Sequence, residues 1–223
     1  SQHYGERWGR HWLDVAGYAD SEGYTEADTE RKWAWRYRDY VIRAFNDDMP
    51  FDRFIQEQLA GDETVPLPHK EMSADKIARL TATGFLRMSP DGTGSGGIDR
   101  DEARNQVISE TVKIVGDSLL GLTVDCARCH NHRYDPIPQR DYYALRAIFE
   151  PALDWKNWRS PNSRRITLYT DANRKVAAEI ETKAKLVDAD RQKKIDVFIE
   201  RTLTWKLRTM PEKLRKPLRD AFF

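Results

Sequence analysis

The stretch from Arg31 to Asn46, RKWAWRYRDYVIRAFN, decides the fold that the sequence predicts. Its apolar residues recur every three or four positions, which is the spacing that places side chains on one face of an α-helix. Its arginines fall mostly on the opposite side. We therefore predict an amphipathic helix that packs the following stripe against a core: Trp33, Tyr37, Tyr40, Val41 and Ala44.

The segments on both sides of this stretch have the same helical period. Pro50 begins a third helix in which Phe51, Phe54, Ile55 and Leu59 form the apolar positions, and Gly61 is predicted to end it as a C-cap glycine. The segment ERWGRHWLDVAGYAD, residues 6–20, is predicted to place these residues on one core face: Trp8, His11, Trp12, Val15, Ala16 and Ala19.

Further helices are predicted along the chain, and the fold class is therefore mainly α. One helix covers roughly residues 74–87, another starts at the capping-box pair Asp99 and Glu102, and a third covers the segment QRDYYALRAIFE. We expect an irregular helical domain over residues 1–165 and a charged helical extension over residues 166–223.

The predicted extension is rich in Ala, Glu, Lys and Arg from Asp171 onward. Its apolar residues lie near heptad positions, which indicates a long helix or a helical hairpin at the periphery that links to a further domain. The apolar ending LRDAFF leads us to expect a longer natural protein. The apolar residues near heptad positions are Val176, Ile180, Val187, Ile195, Phe198 and Ile199.

The composition excludes several classes of protein. Lys and Arg number 37 against 36 Asp and Glu, so the net charge of +1 gives no bulk attraction to nucleic acid or to an anionic membrane. Aromatic residues make up 11%, with seven Trp, which is too many for a disordered chain. Because no stretch approaches roughly eighteen consecutive apolar residues, we expect no membrane span.

The segment TVDCARCHNHRYDPIP, residues 123–138, contains both cysteines of the chain. Cys126, Cys129 and His130 form the C-x-x-C-H pattern by which c-type haem is attached. Two thiols at this spacing add to the two vinyl groups of the porphyrin, and the adjacent imidazole reaches the iron. The sequence therefore predicts covalently attached haem c, with Cys126 and Cys129 as attachment points and His130 as an iron ligand.

Three other interpretations of the cysteines stay open at the level of sequence. A redox-active dithiol would place C-x-x-C at a helix N-terminus after a strand, whereas a helix is predicted before this motif. A zinc site could use Cys126, Cys129 and His132, but the sequence shows no second pair of ligands elsewhere. The two cysteines could also be inert core residues next to a surface histidine.

The neighbours of the motif suggest how the haem would be held. Pro136 and Pro138 fix the chain beyond His130, where a backbone carbonyl could accept the ring N–H of the iron-bound imidazole, although an ordinary rigid turn has the same sequence. Three nearby arginines could pair with the haem propionates or could simply be solvated charges: Arg128, Arg133 and Arg140.

The sixth iron ligand has two candidates in the sequence, His11 and Met88. His11 lies on a predicted apolar helix face, where an imidazole needs a partner, and a core hydrogen bond would satisfy it as well as iron would. Met88 follows a predicted helix end, and its alternative is an ordinary core methionine. The third possibility is an open or water-bound position.

Several segments resemble the domain of unknown function found in planctomycete cytochrome c-like proteins, as its second module. The resemblance covers about residues 6–150, and family members often carry Asp and Lys in place of Asn131 and Arg133. It implies a haem c site and an extracytoplasmic, exported location, but it does not supply a reaction. The segments that carry it are HWLDVAGYADSEGY, WRYRDYVIRAFNDDMPFDRFIQEQLAGD, ATGFLRM and GLTVDCARCHNHRYDPIPQRDYY.

These observations lead to three hypotheses about function. The first is a c-type cytochrome domain that transfers electrons to a redox partner protein or to neighbouring domains, or that is the redox centre of a larger enzyme. The second is haem-dependent oxidase or peroxidase chemistry on a bound substrate such as a carbohydrate, at an open iron position near the loop SPDGTGSGG, residues 89–97. The third is a non-redox interaction module with a structural haem.

Overall fold

The computed structural model describes residues 1–23, 28–94, 97 and 99–221, and this part of the chain is mainly α, as predicted. Short 3₁₀ turns connect several of the helices. The α-helices in the described ranges are α1 (Tyr4–Val15), α2 (Trp35–Asn46), α3 (Phe51–Ala60), α4 (Ala74–Ala82), α5 (Arg100–Val115), α6 (Gln139–Leu153), α7 (Asp171–Arg208) and α8 (Glu212–Asp220).

The chain forms two compact units, Ser1–Leu168 and Tyr169–Phe223. The first unit contains α1 to α6 and two clusters of buried apolar residues. The second contains α7 and α8. None of the helices in the described ranges combines the length and the apolar character that crossing a bilayer requires.

The first core of unit one is built by α1, α2, α3, the end of α4 with the residues that follow it, and Val115 at the end of α5. The predicted stripe on α2 is confirmed at Tyr37, Tyr40, Val41 and Ala44, all of which are buried. Trp33 is the exception, because α2 begins only at Trp35 and the Trp33 side chain remains 46% exposed.

The predicted core face of α1 is wrong for His11, which is exposed. Trp8 and Val15 are also exposed, at 45% and 49%. The face that packs against α2 instead contains Gly5 and Gly9 together with Trp12. A Cβ atom at Gly5 would lie 2.1 Å from the carbonyl oxygen of Ile42, so α1 approaches α2 through its own glycines, and Trp8 is turned outward.

Gly61 is the C-cap residue of α3, as predicted, but it does not have the left-handed conformation that a glycine cap usually has. Gly61 has right-handed helical angles, φ −60° and ψ −32°, rather than the left-handed angles of a glycine cap. A Cβ atom there would lie 2.3 Å from the carbonyl oxygen of Arg79 and 2.5 Å from that of Glu57. Glycine is therefore needed because the end of α3 touches the backbone of α4.

A buried chain of hydrogen bonds crosses the first core. The indole N–H of Trp12 donates to the hydroxyl of Tyr37 at 2.9 Å, and that hydroxyl donates to Oε1 of Gln58 at 2.7 Å. Burial raises the pKa of Tyr37 far above its usual range, so the phenol stays protonated. These bonds join α1, α2 and α3, because their three side chains come from three different helices, and Nε2 of Gln58 is the one group of this hydrogen-bond chain that is buried without a partner in the described residues.

The second core lies between α5 and α6 and positions the cysteine motif. Helix α5 begins at Asp99 as predicted, since Oδ1 of Asp99 accepts hydrogen bonds from the backbone N–H groups of Asp101 and Glu102 at 2.9 and 3.1 Å. The chain continues past Val115 as a single π-helical turn, Gly116–Leu120. The buried residues of the second core are Val112, Val124, Ala127 and Tyr142.

The second unit is dominated by α7, a continuous helix of 38 residues. Thr170 caps its start in a capping box with Asn173, in which each side chain bonds to the backbone N–H of the other residue. Most apolar side chains of α7 are exposed, including Val187 at 70% and Phe198 at 68%. The two terminal phenylalanines, Phe222 and Phe223, lie outside the described residues.

Candidate functional site

The cysteine motif lies on a short 3₁₀ turn, Val124–Arg128, that follows the π turn after α5. Residues three apart lie above one another in a 3₁₀ helix. Val124 and Ala127 accordingly share the inner side, at 4% and 0% exposure, and pack into the second core. Cys126 and Cys129 are both exposed, and each is a free thiol. The spacing of the motif thus separates two anchoring residues from two accessible cysteines.

The start of α6 holds the end of this turn in place. The backbone carbonyl of Arg128 accepts hydrogen bonds from Nε2 of Gln139 at 3.0 Å and from the hydroxyl of Tyr143 at 3.2 Å. Oδ1 of Asn131 accepts a bond from the backbone N–H of Gln139 at 2.9 Å. Asn131 therefore satisfies one of the N–H groups left unpaired at the helix start, and it fixes α6 to the motif.

His130 is exposed, and its Nδ1 lies 2.7 Å from the backbone carbonyl oxygen of Asn131. This contact requires the proton on Nδ1, which leaves the lone pair of Nε2 available to a metal. A carbonyl acceptor for the ring N–H was predicted near Pro136 and Pro138, but the acceptor in the structure is the adjacent residue. The His130 ring therefore bonds to the backbone of the next residue rather than to the loop at Pro136 and Pro138.

His132 is a structural residue that the sequence interpretation considered only as a zinc ligand. Its Nδ1 accepts hydrogen bonds from the backbone N–H groups of Asp135 at 2.8 Å and Tyr134 at 3.3 Å. The backbone N–H of His132 donates to the backbone carbonyl of Ile137 at 2.9 Å, and the His132 side chain is only 6% exposed. His132 thereby closes the loop over residues 132–137. The H-x-x-D spacing, in which a side-chain acceptor precedes a turn, was the available signal.

No group of three or more His, Cys, Asp and Glu side chains that could hold a metal ion occurs in the described ranges. The zinc interpretation with Cys126, Cys129 and His132 would need such a group. In addition, Nδ1 of His132 already accepts backbone hydrogen bonds, so a neutral His132 carries its proton on Nε2. The local geometry therefore does not favour zinc at the two thiols.

An apolar pocket of about 230 Å³ opens beside the motif. Its walls come from the residues after α5, from the loop closed by His132 and from α6. Leu120 and Leu122 at its edge are 54% and 43% exposed. An apolar surface of this kind suits a hydrophobic group, and Val124 connects it to the turn that carries the two cysteines. The lining residues are Leu120, Leu122, Val124, Pro136, Ile137, Asp141, Tyr142 and Leu145.

The three arginines that could pair with propionates have different surroundings. Arg128 is half-buried, and Arg133 is exposed with its guanidinium 5.9 Å from the centre of the Tyr134 ring. Arg140 is exposed and lies 3.3 Å from a carboxylate oxygen of Asp141. All three remain candidates for binding an anionic group near the motif.

The two predicted candidates for a sixth iron ligand lie elsewhere in unit one. Met88 is 6% exposed and packs into the first core with Trp12 and Tyr37, whereas the anchors of the motif belong to the second core. His11 is exposed on α1, where its ring centre lies 5.5 Å from that of Trp8. Met88 therefore has the packing of a core methionine, and His11 has an aromatic neighbour on the surface.

The residues at the motif fit a covalently bound haem. Both cysteines are exposed, Nε2 of His130 is available, and an apolar pocket shares Val124 with the turn that carries them. Haem c needs one histidine and two thioethers, so the absence of a three-ligand group in the described residues does not bear on it.

Fold and site together define a mainly α-helical domain that presents a C-x-x-C-H motif at its surface. The chain belongs to the PSCyt2 family, whose model, described as Protein of unknown function (DUF1549), matches residues 1–153. This confirms the resemblance to the planctomycete cytochrome-like domain. The match covers the first core, the motif and all of α6, but not α7 and α8. No curated protein and no solved structure matches the chain.

Proposed function

We propose that this chain is an extracytoplasmic c-type cytochrome domain that transfers electrons, alone or as the redox centre of a larger enzyme. Haem c is attached through Cys126 and Cys129, and His130 binds its iron. The observation that carries the proposal is the arrangement of the motif, in which both thiols face outward while the bond from His130 to the Asn131 carbonyl leaves Nε2 free.

The residues around the motif have separate tasks in this proposal. Val124 and Ala127 anchor the turn, so the thiols keep their positions relative to α5 and α6. The carbonyl of Asn131 orients the imidazole and increases its basicity through the Nδ1 hydrogen bond. Leu120 and Leu122 contribute apolar surface to the pocket that Val124 also lines. When bound, the haem supplies a one-electron iron couple.

The exposure of the motif supports exchange of electrons with another protein or with a neighbouring domain. Cys126, Cys129 and His130 are all exposed in unit one, so a group attached there stays accessible at the surface. Electron-transfer contacts are typically small and short-lived, and such a surface suits them.

The test is maturation of the full chain in a bacterial periplasm that contains haem-attachment machinery, followed by visible spectroscopy and a redox titration. We expect the reduced spectrum of a c-type haem and a reversible one-electron potential. Cys129→Ser should leave a single thioether and shift the pyridine haemochrome band to the red. A colourless protein under these conditions would exclude the proposal.

The positions of His11 and Met88 favour a second candidate, haem-dependent oxidase or peroxidase chemistry. Neither side chain belongs to the core cluster that holds the motif, which supports an open or water-bound sixth position. The loop that was expected near the iron includes Ser95 and Gly96, which lie outside the described residues. High-spin iron that binds cyanide supports this candidate, whereas low-spin iron that ignores cyanide supports a carrier.

A further inference from the structure

Two largely buried ion pairs hold the segment of residues 87–91, which follows Leu86 and is separate from the cysteine motif. Arg31 pairs with Glu22 at 2.9 Å and also donates hydrogen bonds to two backbone carbonyls of this segment. Asp91 is 4% exposed and pairs with Arg164. Each of these two arginines therefore has a carboxylate partner inside the protein.

The carboxylate of Asp91 has little capacity left for another cation. Its Oδ1 accepts hydrogen bonds from the backbone N–H of Thr93 at 2.9 Å and from the Thr93 hydroxyl at 2.5 Å, and its Oδ2 binds Arg164. Burial alone would raise the pKa of Asp91, but Arg164 and Thr93 outweigh this and lower it. Asp91 is thus ionised, and its negative charge is already balanced by Arg164.

Arg87 is a third arginine in the same neighbourhood, and it has no carboxylate of its own in the described residues. Its Nη1 is completely buried and makes no hydrogen bond. Its guanidinium lies 5.8 Å from the centre of the Trp158 ring. Burial lowers the pKa of Arg87 to about 10, and repulsion from Arg164 and Arg159 adds to this, although Asp91 opposes it. Burial and the neighbouring positive charges therefore destabilise the charged form of Arg87.

Two further donors are also buried without a partner in the described part of the chain: Nη1 of Arg164, whose charge repels that of Arg87, and Oγ of Ser89, two residues after Arg87. Ser89 is 1% exposed. Buried polar groups in folded proteins are almost always paired, and three unpaired donors in one neighbourhood indicate a missing acceptor. The missing group should carry negative charge, because in the described ranges Asp91 is already paired with Arg164, and the charges of Arg164 and Arg159 both repel that of Arg87.

We propose that Arg87, Arg164 and Ser89 form a binding site for an oxyanion. Two guanidinium groups can each direct N–H donors at a phosphate, sulfate or carboxylate, and a hydroxyl completes the set. Water could satisfy Ser89 but could not neutralise Arg87. The Trp158 ring, whose N–H donates to the hydroxyl of Thr93 at 3.0 Å, closes the side of the guanidinium and fixes its plane.

The experiment measures thermal unfolding of the full chain in sulfate, phosphate, acetate or chloride at one ionic strength. We expect a saturable rise in Tm of at least about 3 °C with one of the oxyanions and none with chloride. Sulfate or phosphate as the active ion indicates a tetrahedral dianion as the ligand, and acetate indicates a carboxylate. Isothermal titration with the active ion should give one site per chain.

Arg87→Met is the decisive variant, because it removes the charge but keeps most of the apolar stem. We expect it to fold, to be at least as stable as the wild type in chloride, and to lose the rise in Tm. Arg104→Met, which removes a half-buried guanidinium paired with Asp101, should keep the rise. Equal Tm values in all four salts, or an unchanged anion response in Arg87→Met, would overturn the proposal.

Discussion

Gly61 lies where the end of α3 meets the end of α4, and it shows how one missing side chain sets a helix contact. A Cβ atom there would overlap two backbone carbonyl oxygens, at 2.3 and 2.5 Å, which cannot rotate away as side-chain atoms can. The helical φ of Gly61 would otherwise suit alanine. Steric overlap therefore decides that a larger residue at this position destabilises the fold.

We predict that Gly61→Ala lowers the free energy of unfolding by about 2–3 kcal/mol. Gly84→Ala is the matched control, because its nearest contact would be an ordinary 3.4 Å from Cδ2 of Tyr37. Urea unfolding of both variants measures the difference. Equal stability of the two variants would show that α3 and α4 do not meet as described.

Asp91 makes the stability of unit one depend on pH. Because its pKa is lowered in the fold, its carboxylate stabilises the protein above its ordinary pKa, and this contribution is lost as the pH falls through the lowered value. We expect unfolding free energy to decrease below about pH 4. Asp91→Asn should cost about 3 kcal/mol at pH 7 and should flatten the decrease below pH 4.

The control for Asp91 is Asp101→Asn, which removes an exposed carboxylate at the start of α5. Its cost should stay within about 1 kcal/mol, and the acid-induced decrease should remain as steep as in the wild type. If the Asp91→Asn protein loses stability below pH 4 as steeply as the wild type, Asp91 is not the cause of the acid-induced decrease.

At the residue scale, the sequence predicted buried side chains well where large apolar residues alone decide packing. Tyr37, Tyr40 and Val41 follow this rule. It failed for His11, because Gly5 and Gly9 bring α1 against α2 and turn the aromatic face outward. The failure has a physical cause, since periodicity measures where apolar residues lie but not where two backbones can touch.

At the element scale, the loop after the C-x-x-C-H motif depends on one histidine. Nδ1 of His132 accepts the backbone N–H of Asp135, and few other side chains can place an acceptor at that position. Asparagine can, because its Oδ1 occupies the place of Nδ1. We predict that His132→Asn keeps the loop, whereas His132→Ala removes the acceptor for the Tyr134 and Asp135 N–H groups and costs about 0.5–1.5 kcal/mol.

Hydrogen exchange of the Asp135 amide, with urea unfolding, checks this prediction. The amide should stay protected in His132→Asn and exchange faster in His132→Ala. Haem attachment should survive in His132→Asn, because the proposed haem site uses Cys126, Cys129 and His130 and not His132. Equal loss of protection in both variants would show that the loop is not held by this bond.

Which elements exist could be predicted from sequence, but not how they meet. The capping pair at Asp99 and the break at Pro50 marked helix starts correctly, since both act through local backbone chemistry. The inward face of Val124 and Ala127 depends on a 3₁₀ turn after a π turn. The hydrophobic pattern alone does not predict either turn. The hydrogen bonds of a 3₁₀ turn and of a π turn span one residue fewer and one residue more than those of an α-helix.

At the scale of the whole molecule, the buried apolar residues are concentrated in Ser1–Leu168. In the described ranges, Leu207 is the single buried apolar residue of the second unit. We predict that a chain ending at Leu168 unfolds cooperatively and keeps the haem site. A chain ending at Pro138 is the control and should not, because it lacks α6 and therefore Tyr142 of the second core.

Circular dichroism during urea unfolding of the two shortened chains provides the measurement. A gradual, non-cooperative transition in the chain that ends at Leu168 would contradict the prediction. The same truncation tests the predicted division into residues 1–165 and 166–223, for which composition was the only signal in the sequence.

The central claim is that Cys126 and Cys129 carry a haem, and intact mass spectrometry of natively matured protein tests it most directly. We predict the mass of the chain plus one haem, retained after acidic extraction into organic solvent, which removes haem that is not covalently bound. The Cys126→Ser, Cys129→Ser double variant should show the mass of the chain alone. An unmodified mass for the wild-type chain, with or without a disulfide between the two cysteines, would contradict the account.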